Sequence, residues 1–344
     1  YDLVILVGSE AAKEYAKITS ITNMAGILVH DKFVAIPNPA VLIFKPEGKA
    51  DFDRAVARVI SYAEGKAKPL AHGDFKGIDT EEEAREFLLE VLDCNAPFIA
   101  MDTEDTGLYP RDAYVLGISI SYKPLHGRYI SMDVLTDELL YLIQQIVNRY
   151  TIVFHNMKFD IKMIEYHTPI RFRPLHVEDT MVAHYVLDEN DSHGLKPLAL
   201  KYTDYGDYDS ELDSFKKSYC AANGISVDDF TYDLIPFDII SKYASIDTAV
   251  TLTLFHKFWP VVQKNEKLLR VYNELLIPGT LFLMDMEEVG IPMHRERMQA
   301  AEKYLDEYIT EAKQQVYSFE AIKLFEKDSK GIFNPNSVQQ LDRK

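Results

Sequence analysis

The sequence has little cysteine and no long apolar run. Its two cysteines, Cys94 and Cys220, lie far apart and outside any CxxC pattern. The sequence therefore predicts neither a disulfide framework nor a zinc cluster. No apolar run approaches the roughly 20 residues that a membrane span needs. We expect an intracellular protein that does not insert into a membrane.

Positive charge is also scarce. The chain carries 37 Lys and Arg against 54 Asp and Glu, which gives a formal net charge of −17. Phosphate contacts need cationic side chains, so this balance by itself argues against nucleic-acid binding. Bound divalent cations would neutralise an acidic cleft locally, however, and basic surface elsewhere would help. The charge balance therefore leaves nucleic-acid binding open.

Changes in sequence pattern divide the 344 residues into three predicted domains, 1–70, 71–260 and 261–344. The first is a small α/β piece. The second places strands before mixed helices and strands, which predicts an α/β fold with a mixed β-sheet flanked by helices. The third is helical. Because the chain begins at Tyr1 rather than Met, we expect a fragment of a longer protein.

Local patterns add predictions of secondary structure. The apolar stretch 41–44 is predicted to be extended, and the polar, turn-rich stretch 65–77 to be a linker. Thr80 followed by Glu83 is a capping box, which predicts the start of a helix. Farther along, the apolar spacing over 262–289 predicts one long amphipathic helix.

The strand-like segment FIAMDTEDTGL carries two acids at its end, Asp102 and Glu104. Side chains alternate across a strand, so residues two apart project into the same space. Two carboxylates that close repel each other unless a cation lies between them, and oxygen pairs suit Mg²⁺ or Mn²⁺. In an acidic chain such pairs also arise by chance, so the pair alone does not establish a metal site.

Two further segments contribute one acid each. TIVFHNMKFDIKMI reads as a buried strand and then a helix, with Asp160 in the first helical turn, where the helix dipole alone also favours an acid. KYASIDTAVTLTLF is helical by its apolar spacing, and Tyr243 and Asp247 share one face. The alternative is a tyrosine packed beside a capping acid. An acid among apolar residues is costly to bury, however, unless a cation or a donor satisfies it.

Together and in this order, the three segments resemble the Exo I, Exo II and Exo III motifs of the family A DNA polymerases. Their acids follow the pattern of the DEDD exonucleases, in the subclass that contains a tyrosine. The resemblance extends to EDTMVAHYVLDENDSHGLKPLALKY and NEKLLRVYNELLIPGTLFLMDMEEVGIPM, and FNPNSVQQL resembles the entry into the polymerase thumb. Over nearly the whole chain, the sequence most resembles polymerases of T-five-type (Tequintavirus-like) bacteriophages.

The resemblance implies a ribonuclease H-like exonuclease domain over 71–260 and the start of a polymerase thumb over 261–344. It also implies that two divalent cations, Mg²⁺ or Mn²⁺, are held by four carboxylates: Asp102, Glu104, Asp160 and Asp247. Such ions can activate a water and stabilise the departing 3′ oxygen, which would release a nucleoside 5′-monophosphate. Tyr243 would hydrogen-bond the attacking water, because a free tyrosine with a pKa of about 10 is a poor base.

The same resemblance suggests substrate contacts. Leu108 matches the position that wedges beside the terminal base, and Asn156 the position that contacts the terminal nucleotide. Phe159 lies near the site in sequence and offers a stacking surface. The structural alternatives are strand-end packing for Leu108, a helix N-cap for Asn156 and a core position for Phe159.

The implied function is proofreading during phage DNA replication. The expected partner is DNA, as a single-stranded 3′ end or a primer-template, with unspecified replication proteins, in the cytoplasm of an infected bacterial cell. Two other functions stay open. A catalytically silent DNA-binding or scaffold module would not need all four acids and Tyr243. A stand-alone RNase D-like exonuclease would not need the long helices beyond Trp259.

Residues 1–70 distantly resemble part of the uracil-DNA glycosylase-like domains, through VILVGSEAAKEY and IPNPAVLIF. Where those domains carry an HPS loop, this chain has Asn38-Pro39-Ala40. The missing histidine argues against glycosylase activity. We expect a structural or DNA-docking remnant.

Overall fold

The computed structural model describes residues 3–16, 21, 25–26, 28–29, 32–44, 48–65, 73–172, 177–203, 205, 208–329, 331–337 and 340. The chain forms two compact units, Tyr1–Asp285 and Met286–Lys344. The domain boundaries expected near residues 70 and 260 stay predictions.

The described residues of the first unit form two β-sheets. Their strands are β1 (Val4–Val7), β2 (Leu28–Val29), β3 (Phe33–Ile36), β4 (Asp74–Ile78), β5 (Phe98–Asp105), β6 (Val115–Ser121), β7 (His126–Ser131), β8 (Thr151–Phe154) and β9 (Val177–Asp179). A three-stranded sheet has β3 between β1, which is parallel to it, and β2, which is antiparallel. The other six strands form a mixed sheet in the order β4-β7-β6-β5-β8-β9.

The described α-helices lie between and after these strands. They are α1 (Ser9–Ala16), α2 (Val41–Phe44), α3 (Lys49–Ala63), α4 (Glu81–Asp93), α5 (Asp137–Arg149), α6 (Met157–His167), α7 (Thr180–Leu187), α8 (Leu195–Tyr202), α9 (Ser210–Asn223), α10 (Phe237–Gln263), α11 (Glu266–Val271), α12 (Ile277–Val289), α13 (Arg295–Ser318) and α14 (Glu320–Ser329). A π-helical turn, Tyr272–Leu276, lies between α11 and α12.

The largest core lies around the six-stranded sheet. β5 is an inner strand, antiparallel to β6 and parallel to β8. Its Ile99 and Met101 are fully buried and belong to one cluster with Leu88 of α4 and Ile143 of α5. Strands covered on both faces read as nearly continuous apolar runs, which is why β5 and β8 were recognisable in the sequence. The predicted fold, a mixed sheet flanked by helices, is confirmed.

Two local predictions about the first 80 residues need correction. The stretch Val41–Phe44 is helical rather than extended, because a four-residue apolar run cannot distinguish the two periods. The end of the predicted linker is the strand β4, paired in parallel with β7 through Asp74 and His126. Residues 66–72 of that linker lie outside the described residues.

Helix starts follow side-chain capping. The helix start predicted at Thr80 is confirmed, since the N–H of Glu83 donates to the hydroxyl of Thr80 at 3.4 Å. The helix predicted over 262–289 is wrong at its start. Asn265 interrupts it, because its side-chain oxygen accepts from the N–H groups of Lys267 and Leu268 at 3.1 and 3.3 Å and so caps a new helix.

The second unit contains α13 and α14. α13 buries none of its side chains. The hydroxyl of Tyr317 donates to the carbonyl of Phe333 at 2.8 Å, and the rings of Phe325 and Phe333 meet edge to face. Among the helices that the structure describes in the whole chain, none has the length and apolar content to cross a membrane.

Candidate metal centre

The end of β5 carries two acids on one face. Asp102 is half-buried and Glu104 is buried, and both project from the same side because they are two residues apart. Asp102 pairs with Ser119 of β6, and a β-bulge between Glu104 and Asp105 then interrupts the regular pairing. The alternation of side chains therefore brings both carboxylates into one space, as the sequence predicts.

Asp247 reaches the same space from α10. This helix lies against the sheet. The hydroxyl of Ser245 donates to the carbonyl of Lys76 at 3.1 Å, and the hydroxyl of Thr248 donates to the hydroxyl of Ser119 at 2.7 Å. One oxygen each of Asp102, Glu104 and Asp247 lie within 4.8 Å of one another. Residues from a strand and a helix, 145 positions apart, thus form one acidic group.

A glycine allows α10 to approach the sheet so closely. A Cβ on Gly127 of β7 would lie 2.0 Å from the carbonyl oxygen of Ser245, a distance that real Cβ atoms essentially never show. Ser245 is two residues before Asp247. The missing side chain of Gly127 therefore helps to set the height of Asp247 above the strands.

Asp160 lies beside this acidic group and is held by its own hydrogen bonds. It is buried in the first turn of α6, and its Oδ1 accepts from the backbone N–H of Thr103 at 2.9 Å and from the Thr103 hydroxyl at 3.0 Å. Burial raises the pKa of Asp160 to about 8, although both hydrogen bonds act in the opposite direction. The charge of Asp160 in turn raises the pKa of Asp102.

The carboxylates of the site destabilise one another as anions. Burial, followed by the charge of Asp160, raises the pKa of Asp102 well above its ordinary value. Burial, followed by the charge of Asp247, does the same to the pKa of Glu104. The positive charge of Lys196 lowers both pKa values in part. A site of this kind has oxygen ligands and unbalanced negative charge, which suits a hard divalent cation.

Tyr243 stands one helical turn before Asp247. Burial raises the pKa of its phenol well above the usual range, and the charges of Asp247 and Glu104 add to this effect. The phenol is therefore a hydrogen-bond donor rather than a base at neutral pH. Its ring lies 6.3 Å from the ring of Tyr208.

Lys196 is a site residue that the sequence did not predict. It lies in the first turn of α8, and its ammonium pairs with Oδ1 of Asp247. The same ammonium donates to the hydroxyl of Tyr208 at 2.9 Å. The sequence gives one weak indication that Lys196 has an acidic partner. A cation in the first turn of a helix lies at the positive end of the helix dipole, which favours a compensating anion nearby.

The predicted substrate-binding residues lie in different structural settings. Leu108 follows β5 and is 73% exposed, and the adjacent Tyr109 is 68% exposed. Asn156 is exposed in a left-handed conformation with φ of 69°, and its side chain makes no capping hydrogen bond. Phe159 is half-buried and packs on the main core. Their contacts with substrate stay predictions.

Asp179 performs the capping that Asn156 does not. Its carboxylate accepts from the N–H groups of Asn156 and Met157 at 3.1 and 2.7 Å. It also accepts from Met181 and Val182 at the start of α7, at 2.8 and 3.3 Å. One buried acid thus fixes the start of α6, which carries Asp160.

Comparison with known proteins identifies the family. A model described as the 3′-5′ exonuclease of DNA polymerase A matches residues 75–263. The DNA polymerase of Escherichia phage T5 is 43% identical over 99% of this chain and 41% of its own length. The DNA polymerase of Bacillus phage SP01 is 27% identical over 86% of this chain and 35% of its own length.

A bacterial relative shows a similar match. DNA polymerase I of Borreliella burgdorferi is 32% identical over 64% of this chain and 23% of its own length. The chain thus spans less than half the length of each of these relatives. The chain belongs to the 3′-5′ exonuclease family of the family A DNA polymerases, as the segments around Asp102, Asp160 and Asp247 predict.

Proposed function

We propose that the domain around β5 hydrolyses the 3′-terminal phosphodiester of DNA and releases a nucleoside 5′-monophosphate, as the proofreading part of a phage DNA polymerase. The observation that carries this proposal is the convergence of Asp102, Glu104 and Asp247 within 4.8 Å. In addition to burial, the charges of Asp160 and Asp247 raise the pKa values of Asp102 and Glu104. Bringing such acids together costs stability and so has no structural benefit by itself.

The donor set fits divalent metal ions. All of the candidate ligands are carboxylate oxygens, which Mg²⁺ and Mn²⁺ prefer. When bound, such ions supply a deprotonated water at neutral pH and stabilise the departing oxygen. In this proposal Asp102, Glu104, Asp160 and Asp247 would hold the ions.

The remaining residues orient the reaction. Tyr243 donates a hydrogen bond to the attacking water, because its raised pKa keeps the phenol protonated. Leu108, four residues after Glu104 in the sequence, supplies an exposed apolar side chain that is suited to contact with the terminal base. Asn156 and Phe159 contact the terminal nucleotide at the start of α6.

The experiment uses a single-stranded oligonucleotide labelled at its 5′ end, with Mg²⁺ or with EDTA. The parent chain should produce a ladder of progressively shorter labelled products only with Mg²⁺. The double variant Asp102→Ala/Glu104→Ala should produce none. A matched control, Glu302→Ala/Asp306→Ala, removes two exposed acids from α13 and should behave as the parent.

Two controls make the result decisive. Thermal melting must show that each variant folds, and a 3′-labelled substrate must release a labelled mononucleotide first. Equal degradation by the parent and by Asp102→Ala/Glu104→Ala would contradict the proposal. So would release of mononucleotides from the 5′ end.

A further inference from the structure

Lys196 lies among the acids of the site. Its ammonium contacts Oδ1 of Asp247, whose side chain is 7% exposed, while that of Lys196 is 21% exposed. The charge of Lys196 also acts on Asp102 and Glu104, which share an oxygen cluster with Asp247. One side chain therefore balances part of the charge of three carboxylates.

The ammonium is held in place by aromatic side chains as well. It lies 4.2 Å from the ring centroid of Tyr208 and 4.1 Å from that of Tyr243. The Tyr208 hydroxyl accepts a hydrogen bond from it at 2.9 Å. Cation–π contacts strengthen when the cation is shielded from water. Lys196 is therefore a fixed part of the site and not a solvated surface lysine.

An ammonium and a divalent cation cannot share Asp247 without repulsion. Both seek the same carboxylate oxygen, and like charges at contact distance repel strongly in a site with little water. We propose that Lys196 competes with divalent cations for Asp247 and thereby sets the affinity of the site for metal. The inference rests on the proposed function, because it takes the same acids as metal ligands.

A purely structural role for Lys196 gives the opposite expectation. If Lys196 only held α8 against α10, its loss would loosen the acidic group and weaken metal binding. Competition predicts that the loss of the ammonium strengthens metal binding, because the Asp247 carboxylate is then available to the metal ion alone. The sign of the change in affinity separates the two roles.

The test is a titration with Mn²⁺, in which free Mn²⁺ is followed by electron paramagnetic resonance in the absence of DNA. Lys196→Gln and Lys196→Met should each bind Mn²⁺ at least about tenfold more tightly than the parent, since a neighbouring charge at a shielded site changes affinity by this order. The matched control is Lys201→Gln. Lys201 lies in the last turn of the same helix and pairs with Asp191 instead.

Each outcome decides one claim. Unchanged or weaker Mn²⁺ binding by both Lys196 variants would overturn the competition, with the metal site itself intact. A parent that binds no Mn²⁺ would instead contradict the proposed function. If neither variant folds, a crystal structure of the parent with Mn²⁺ decides, since competition requires the Lys196 ammonium to leave Asp247. Retained contact between the two would overturn the inference.

Discussion

The backbone N–H of Thr103 donates a hydrogen bond to the carboxylate of Asp160, which is 57 positions away in the sequence. Thr103 stands between the two acids of β5, and its hydroxyl contacts Asp160 again at 3.0 Å and Asp105 at 2.7 Å. The strand that carries two candidate ligands thus also positions a third on a different element.

The Thr103 hydroxyl should therefore matter for catalysis. Thr103→Val keeps the backbone hydrogen bond and removes the hydroxyl, and we expect kcat on single-stranded DNA to fall about five- to tenfold, the equivalent of one hydrogen bond. Thr103→Ser keeps a hydroxyl and should remain within about twofold of the parent. Equal kcat values for the parent and Thr103→Val would show that the hydroxyl plays no part.

The close approach of α10 to the sheet makes a second prediction. Gly127→Ala places a Cβ against the backbone of Ser245, so α10 must shift and Asp247 with it. We expect unfolding free energy to fall by about 1–3 kcal/mol, together with a loss of exonuclease activity.

Gly279 provides the matched control, because a Cβ there meets nothing within 4 Å. Gly279→Ala should leave activity unchanged and stabilise the protein by up to about 1 kcal/mol, since alanine favours a helix. Chemical denaturation measures both changes. If Gly127→Ala is as stable and active as the parent, the packing of α10 does not fix Asp247.

Leu108 should affect substrate affinity and not stability. Its side chain is 73% exposed, so Leu108→Ala should leave the melting temperature unchanged. Loss of its contact with the terminal base should raise KM for single-stranded DNA about fivefold, with a smaller effect on kcat. The control, Leu89→Ala on α4, removes another exposed leucine and should change neither. If Leu108→Ala has the same KM as the parent, Leu108 does not contact the substrate.

Stability should depend on pH through Glu178 of β9. Burial raises the pKa of Glu178 to about 7 in the folded protein, from an ordinary value of 4.5. The folded protein therefore holds this proton more tightly than the unfolded chain. The stability that Glu178 contributes is greatest below pH 4.5 and is lost as the pH rises to about 7.

Glu178→Gln removes this dependence, because glutamine does not titrate. The variant should gain on the order of 1–3 kcal/mol over the parent between pH 5 and pH 8, after allowance for solvent screening. Comparing variant with parent at each pH cancels the titration of the other acids. A difference in unfolding free energy that stays constant from pH 5 to pH 8 would contradict the assignment.

The sequence predicts those structural features that depend on residues close to one another in the chain. The helix start at Thr80 and the shared face of Asp102 and Glu104 follow from local geometry, so the sequence alone predicts both. The helix at 41–44 was missed because so short an apolar run has no diagnostic period. β4 was missed because its pairing with β7 decides its structure, and its own polar residues do not indicate a strand.

The parts of the site that were missed depend on contacts between distant residues. Lys196 meets Asp247 across 51 positions, and nothing in LKPLALKY distinguishes it from a solvated lysine except its place at a helix start. In the sequence Gly127 is an ordinary strand residue, and its role is evident only from the packing of α10 against it. Tertiary packing, which local propensity does not encode, decides both positions.

The central claim is that the acids of β5 and α10 repel one another in a pocket that cations stabilise. It is tested most directly by thermal melting of the parent and of Asp102→Asn/Glu104→Gln, with EDTA and with Mg²⁺. Without metal the double variant should melt higher than the parent, because it has lost the repulsion, and Mg²⁺ should stabilise the parent alone. A variant that melts no higher than the parent, with Mg²⁺ affecting neither protein, would contradict the account.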